Sequence, residues 1–200
     1  MKSYGITALR NVGLFGHQGA GKTSLAEALL YTSGATERLG RVDDGSAVCD
    51  FDSEEQRRRI SINLGLAPCE WDNTKINIVD VPGYLDFVGE AQSAMNVVES
   101  AILVTPAQGE PEVGFDIAWE MATEINLPRA VFINKMDREN ADFQVVLQML
   151  RSKYGSIIAP FQLPVGAADS FQGVIDLVEM RAFIGSGKVV ECQAIPAECL

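Results

Sequence analysis

Residues 16–23 read GHQGAGKT, between the apolar run NVGLFG (11–16) and a stretch over 22–33 that reads as a helix with Gly34 as its stop. This strand–glycine loop–helix junction limits the fold more than any other feature. Gly16, Gly19 and Gly21 let the backbone curl so that successive N–H groups face one point, and a helix N-terminus attracts an anion to that point. Residues Gly16, His17, Gly19, Ala20, Gly21, Lys22, Thr23 and Ser24 are therefore the candidate phosphate cradle. Lys22 would neutralise β- and γ-phosphates, and Thr23 would offer a hydroxyl to Mg²⁺. An ordinary glycine turn before a helix is the alternative, and the correct flanks on both sides count against it.

The rest of the chain keeps the same rhythm. INIVDV (76–81), AILVTPA (101–107) and RAVFINK (129–135) are short apolar runs, while 84–99, 113–125 and 143–154 carry apolar residues every three or four positions, as helices do. Continuously apolar strands alternating with helices predict an α/β fold with a mostly parallel sheet covered on both faces. Ligands then belong at the carboxyl ends of the strands. Two segments break the rhythm. Residues 35–62 are polar, charged and too long for an ordinary connection. After 156, PFQLPVGA and FQGVIDLVEMRAFI look like strands of a separate β-rich element, which places a domain boundary near 157, with domains at 1–156 and 157–200. The ending ECQAIPAECL carries no domain-closing signal and reads as a cut from a longer protein.

A net charge of −11 argues against nucleic-acid binding, DNA included, by bulk charge. No apolar run is long enough to span a bilayer and no export signal stands at the N-terminus. The four cysteines form no C-x-x-C pair, so reduced thiols in a soluble cytoplasmic protein are the expectation.

Two further motifs sit where strands end. In DVPGYLDF (80–87), Asp80 is placed to hold a metal ion, and Gly83 offers an unobstructed N–H and a hinge. In NKMD (134–137), Asp137 can accept both the N1–H and N2–H₂ donors of guanine, an edge that adenine lacks. Asn134 can tie the loop to the base, and the Lys135 stem can cover the ring face. A polar helix start is the alternative for this turn. The order Lys22, Asp80, Asp137 is what gives the weaker motifs their weight.

These motifs in this order resemble the GTPase domain of the translation-factor superfamily. DGSAVCDFDSEEQRRRISI, DVPGYLDFVGE and PRAVFINKMDRENADF are similar to elongation factor G, and QLPVGAADSFQGVIDLVEMRAF resembles the start of that factor's inserted subdomain. The resemblance implies an N-terminal fragment that binds GTP, GDP and Mg²⁺ and hydrolyses GTP, slowly without an activator, in a ribosome-associated factor. It makes 35–62 a nucleotide-responsive switch in which, in the GTP state, Ser61 joins Thr23 and Asp80 around Mg²⁺. Three positions depart from the family pattern. Gly19 stands where Asp is common, Arg59 where Gly is, and Tyr84 where a water-positioning His is. The pairing of Gly19 with Tyr84 resembles a bacterial subgroup of elongation factor G-like paralogues. With Lys22 and Gly83, Tyr84 is a candidate catalytic residue, able to orient a water through its hydroxyl, or else a packing residue. His17 follows the family pattern and reads first as a loop-packing residue. The Arg57–Arg59 run reads as a solvated or ribosome-facing surface. A GTP-occupancy switch with negligible hydrolysis, or the G domain of a ribosomal-protection or peptide-release factor, remain open.

Overall fold

The computed structural model describes residues 2–186 and 189–196. Five strands, β1 (Leu9–Phe15), β2 (Gly65–Trp71), β3 (Thr74–Asp80), β4 (Ser100–Pro106) and β5 (Arg129–Asn134), form one sheet in the order β2-β3-β1-β4-β5. β1 pairs in parallel with β3 on one side and β4 on the other. The mostly parallel α/β sheet expected from the alternating runs is therefore present. Crossovers between parallel strands need helices, and α1 (Lys22–Thr32), α3 (Val88–Met95) and α4 (Val113–Glu124) lie in those connections.

The edge strand β2 is absent from the sequence reading. It runs antiparallel to β3 through a two-residue turn at Asp72 and Asn73, both at positive φ (43° and 57°). Asp and Asn are among the few side chains that accept this conformation in a tight hairpin. The strand's pattern alternates, with Gly65, Ala67 and Cys69 buried and Leu66, Pro68 and Glu70 exposed. A proline is tolerated there because an edge strand has one unpaired side. The helix expected over 84–99 is shorter than its apolar stripe: a 3₁₀ turn, Leu85–Phe87, precedes α3, which ends at Met95.

Contacts divide the chain into two units: residues up to Thr105 with Glu112–Phe132, and Pro106–Pro111 with Ile133 onward. The first unit is centred on Leu14, Phe15, Ile78, Leu103 and Val104 of the parallel strands, all almost fully buried. Ala26 and Leu30 of α1 pack with Leu14, Ile78, Ala67, Cys49 and Cys69 in one cluster. The second unit contains α5 (Phe143–Tyr154), capped by Asp142 Oδ1 accepting from Val145 N at 3.0 Å. It also contains a four-stranded antiparallel sheet, β6 (Gln162–Val165), β7 (Gly173–Asp176), β8 (Arg181–Ser186) and β9 (Val189–Gln193). This is the β-rich element expected beyond 156. Cys49 and Cys69 are buried free thiols and Cys192 an exposed one; Cys199 lies outside the described residues. No helix among the described residues is long and apolar enough to cross a membrane.

Candidate functional site

The glycine loop leaves β1 at Phe15 and enters α1 at Lys22, with Gly16, Gly19 and Gly21 at φ 137°, 73° and 97°. A Cβ at Gly16 would collide with the Val104 carbonyl of the neighbouring strand, so that position needs glycine for space as well as for φ. Ala20 is buried, and Ser24 is exposed on the first turn of α1. Lys22 is buried, and its Nζ donates to the carbonyls of Gly16 and His17, both at 2.9 Å. Burial lowers its pKa to about 8. Gly83 lies against this loop. A Cβ built there would fall 2.6 Å from Gln18 N and 2.7 Å from His17 C, and would collide with Lys22 Nζ. No side chain fits at position 83.

His17 joins the loop to α4. Its Nδ1 accepts the Gly114 N–H at 3.3 Å, which puts the proton of the neutral ring on Nε2, 3.8 Å from Glu112 Oε1.

Beside the loop, hydroxyls and carboxylates converge. Thr23 Oγ1 donates to Asp80 Oδ2 at 2.6 Å, Ser61 Oγ donates to Asp50 Oδ1 at 2.7 Å, and the two hydroxyl oxygens are 3.1 Å apart. Three contacts thus share two hydroxyl protons. Asp80 Oδ1 and Asp50 Oδ2 are buried without a hydrogen-bond partner among the described residues. Burial, opposed by the Thr23 hydrogen bond and by Lys22, pushes the Asp80 pKa up to about 7. Hard oxygen donors with orphaned lone pairs fit Mg²⁺. Among the described residues no three His, Cys, Asp or Glu side chains group into a metal site.

Asp50 was missed by the sequence reading. It is one of six acids between 43 and 55, and nothing local marks it; only its burial and its bond to Ser61 do. The segment around it is also less loop-like than its composition. Residues Ser53–Arg58 form a short helix, α2, with a capping box between Asp52 and Glu55. Glu55 is wholly buried and accepts from Ile62 N (2.9 Å), Asn63 N (2.8 Å) and Asp52 N (2.9 Å). Arg59 ends α2 at φ 58°, the left-handed conformation for which glycine is suited. The glycine that the resemblance leads one to expect here would adopt this conformation without strain. Arg57 and Arg58 are exposed and pair with Glu54, as a solvated surface would.

Tyr84 starts the 3₁₀ turn after Gly83. Its ring meets Phe87 edge-on (6.4 Å between centroids) and borders an apolar cavity that Pro82, Val88, Ile117 and Met121 also line. This pocket is small, about 30 Å³.

In the second unit, the turn carrying Asn134, Lys135 and Asp137 is built on its own supports. Ala107 N donates to Asn134 O at 2.7 Å, Asn134 Oδ1 accepts from Lys135 N at 2.8 Å, and Lys135 has φ 61°. Met136 is buried with Ala107 and Ala141. Asp137 is left exposed on the turn. The structure thus gathers Lys22, Thr23, Ser61, Asp80 and Gly83 in the first unit and holds Asn134, Lys135 and Asp137 on one turn of the second.

The sequence matches, over residues 7–195, the family described as elongation factor Tu GTP binding domain. Elongation factor G of Salinibacter ruber is 39% identical over 183 residues, which is 92% of this chain and 26% of that protein. Elongation factor G of Granulibacter bethesdensis is 37% identical over 202 residues (99% and 29%), and elongation factor G 1 of Treponema denticola 40% over 176 (88% and 26%). A crystal structure of a Thermus thermophilus protein matches with a TM-score of 0.89 at 36% identity, over 94% of this chain and 28% of that one. The chain spans little more than a quarter of the length of the curated relatives it matches. A match that runs from the glycine loop through the NKMD turn makes the assignment: the chain belongs to the family of elongation factor Tu GTP-binding domains.

Proposed function

We propose that this chain is the GTP-binding and GTP-hydrolysing domain, over 1–156, of an elongation factor G-like, ribosome-associated translation factor, with 157–200 beginning an inserted subdomain. The observation that carries the reading is the meeting of Thr23, Ser61 and Asp80 beside the buried Lys22. Backbone N–H groups of 16–24 hold the phosphates, with Lys22 neutralising the β- and γ-groups. Thr23, Ser61 and Asp80 would hold Mg²⁺, and Asp50 would orient Ser61. When bound, the ion supplies charge stabilisation on the phosphate oxygens. Gly83 presents its N–H to the γ-phosphate, and its lack of room for a side chain keeps that approach open. The Tyr84 hydroxyl orients the attacking water by hydrogen bonding, without the positive charge that a histidine could add. Hydrolysis is accordingly slow without an activator. Asp137 reads the guanine N1/N2 edge, with Asn134 and Lys135 framing the base.

Binding selectivity tests the core of this reading. GDP should outcompete ADP by at least about 10³-fold, because a buried unpaired base edge is costly. Equal binding would overturn it. A second reading, an occupancy switch with negligible hydrolysis, is favoured by Tyr84 standing where the resemblance leads one to expect a histidine. Multiple-turnover phosphate release, with and without ribosomes, separates the two.

A further inference from the structure

The switch segment is fastened by buried carboxylates, and one of them comes from outside the segment. Glu27 lies on α1 four residues after Thr23, so the two share a helix face. Glu27 is wholly buried. Its Oε1 accepts the Val48 N–H at 2.6 Å, and its Oε2 is buried with no hydrogen-bond partner among the described residues. Gly40 packs directly on that carboxyl: a Cβ there would collide with the Glu27 carboxyl group and fall 2.8 Å from the Ser46 carbonyl. Among the described residues Glu27 has no ion pair. Burying a carboxylate without a cation is expensive. Its helix neighbours Ala26 and Leu30 show that apolar residues fill this face where only packing is required.

We infer that Glu27 is a positioning residue: it ties residues 40–48 to α1 so that Asp50 and Ser61 are delivered to Thr23. The inference rests on reading 35–62 as a nucleotide-responsive switch. The helix that presents the Thr23 hydroxyl thereby also sets where the segment bearing Ser61 lies. The Glu55 carboxylate then fixes the far end of the same segment through Ile62 and Asn63.

Trypsin cleavage at Arg57–Arg59 reads the anchor in the nucleotide-free chain. Glu27→Ala should speed cleavage tenfold or more. Glu27→Gln should stay within threefold of wild type, because its amide oxygen still accepts from Val48. Gly40→Ala, which crowds Glu27 from the loop side and leaves α1 intact, should behave like Glu27→Ala and serves in its place should that variant not fold. With Mg²⁺ and a non-hydrolysable GTP analogue, the Mg²⁺ concentration that half-slows release of the analogue should rise at least fivefold in Glu27→Ala. Cleavage of Glu27→Ala and Gly40→Ala at the wild-type rate would overturn the anchor. Faster cleavage with an unmoved Mg²⁺ midpoint would reduce Glu27 to a structural residue and overturn its positioning role. A chain that binds no GDP would instead defeat the functional reading, while nucleotide-free cleavage still decides the anchor.

Discussion

The glycine loop and the switch segment both bring backbone and side chains to Thr23, by opposite means. The loop does so locally: glycines at 16, 19 and 21 supply positive φ, and Lys22 bonds to carbonyls five and six residues before it. The switch segment does so at a distance. Its fixed points are buried carboxylates, Glu27 reaching Val48 and Glu55 reaching Ile62 and Asn63, and its turn at 59 is made by an arginine. A loop whose shape is written in its own glycines keeps that shape whatever surrounds it. A segment held by a few desolvated acids can be released when those acids lose their partners, which suits a part that moves.

Four measurements sharpen or break this contrast. The largest effect belongs to the local kind of motif, on the NKMD turn. Asp137→Asn should lower GDP affinity about 10³-fold, some 4 kcal/mol, and raise the preference for xanthosine diphosphate, whose C2 carbonyl needs a donor. Competition binding gives the ratio, and an unchanged GDP-to-xanthosine diphosphate ratio would remove Asp137 from base reading.

Next comes Asp80, the acid that accepts from Thr23. Burial raises Asp80 above its unfolded value, so the folded chain favours the protonated form, and the stability it contributes declines as pH rises from about 4 to about 7. Asp80→Asn keeps an acceptor for Thr23 and removes the charge. It should stabilise the nucleotide-free protein by on the order of 2 kcal/mol at pH 8 and by little at pH 4. Urea denaturation at the two pH values checks this, and equal effects at both would show that the charge is not what the fold bears.

Tyr84→Phe should reduce ribosome-stimulated turnover about tenfold, or about 1.4 kcal/mol of barrier. An unchanged rate would leave the ring's contact with Phe87 as the residue's whole role.

The smallest effect is expected at the turn of the switch segment. Arg59→Gly relieves a left-handed non-glycine residue and should add about 0.5–1 kcal/mol of stability, read as a rise in thermal midpoint. A loss instead would mean that the arginine side chain makes up for its backbone.

Sequence alone was sufficient for the parallel sheet, the glycine loop and the NKMD turn, because each is specified by neighbours: apolar runs at strand length, glycines where φ must be positive, an Asp closing a strand. It identified Ser61 through family resemblance, but not Asp50, Glu27 or Glu55 as its supports. Strand β2 was passed over because its alternation is carried by small residues, Gly65, Ala67 and Cys69, with a proline between them. The acids were passed over because local pattern treats a charged residue as solvent-facing. Whether a carboxylate is buried depends on what folds over it, and for Glu27 that cover is Gly40 and Val48, thirteen and 21 residues further along the chain. Short-range spacing therefore determined where phosphate and base could be met. Only the tertiary structure decided which of the many acids would be desolvated, left with unshared lone pairs, and set against Thr23.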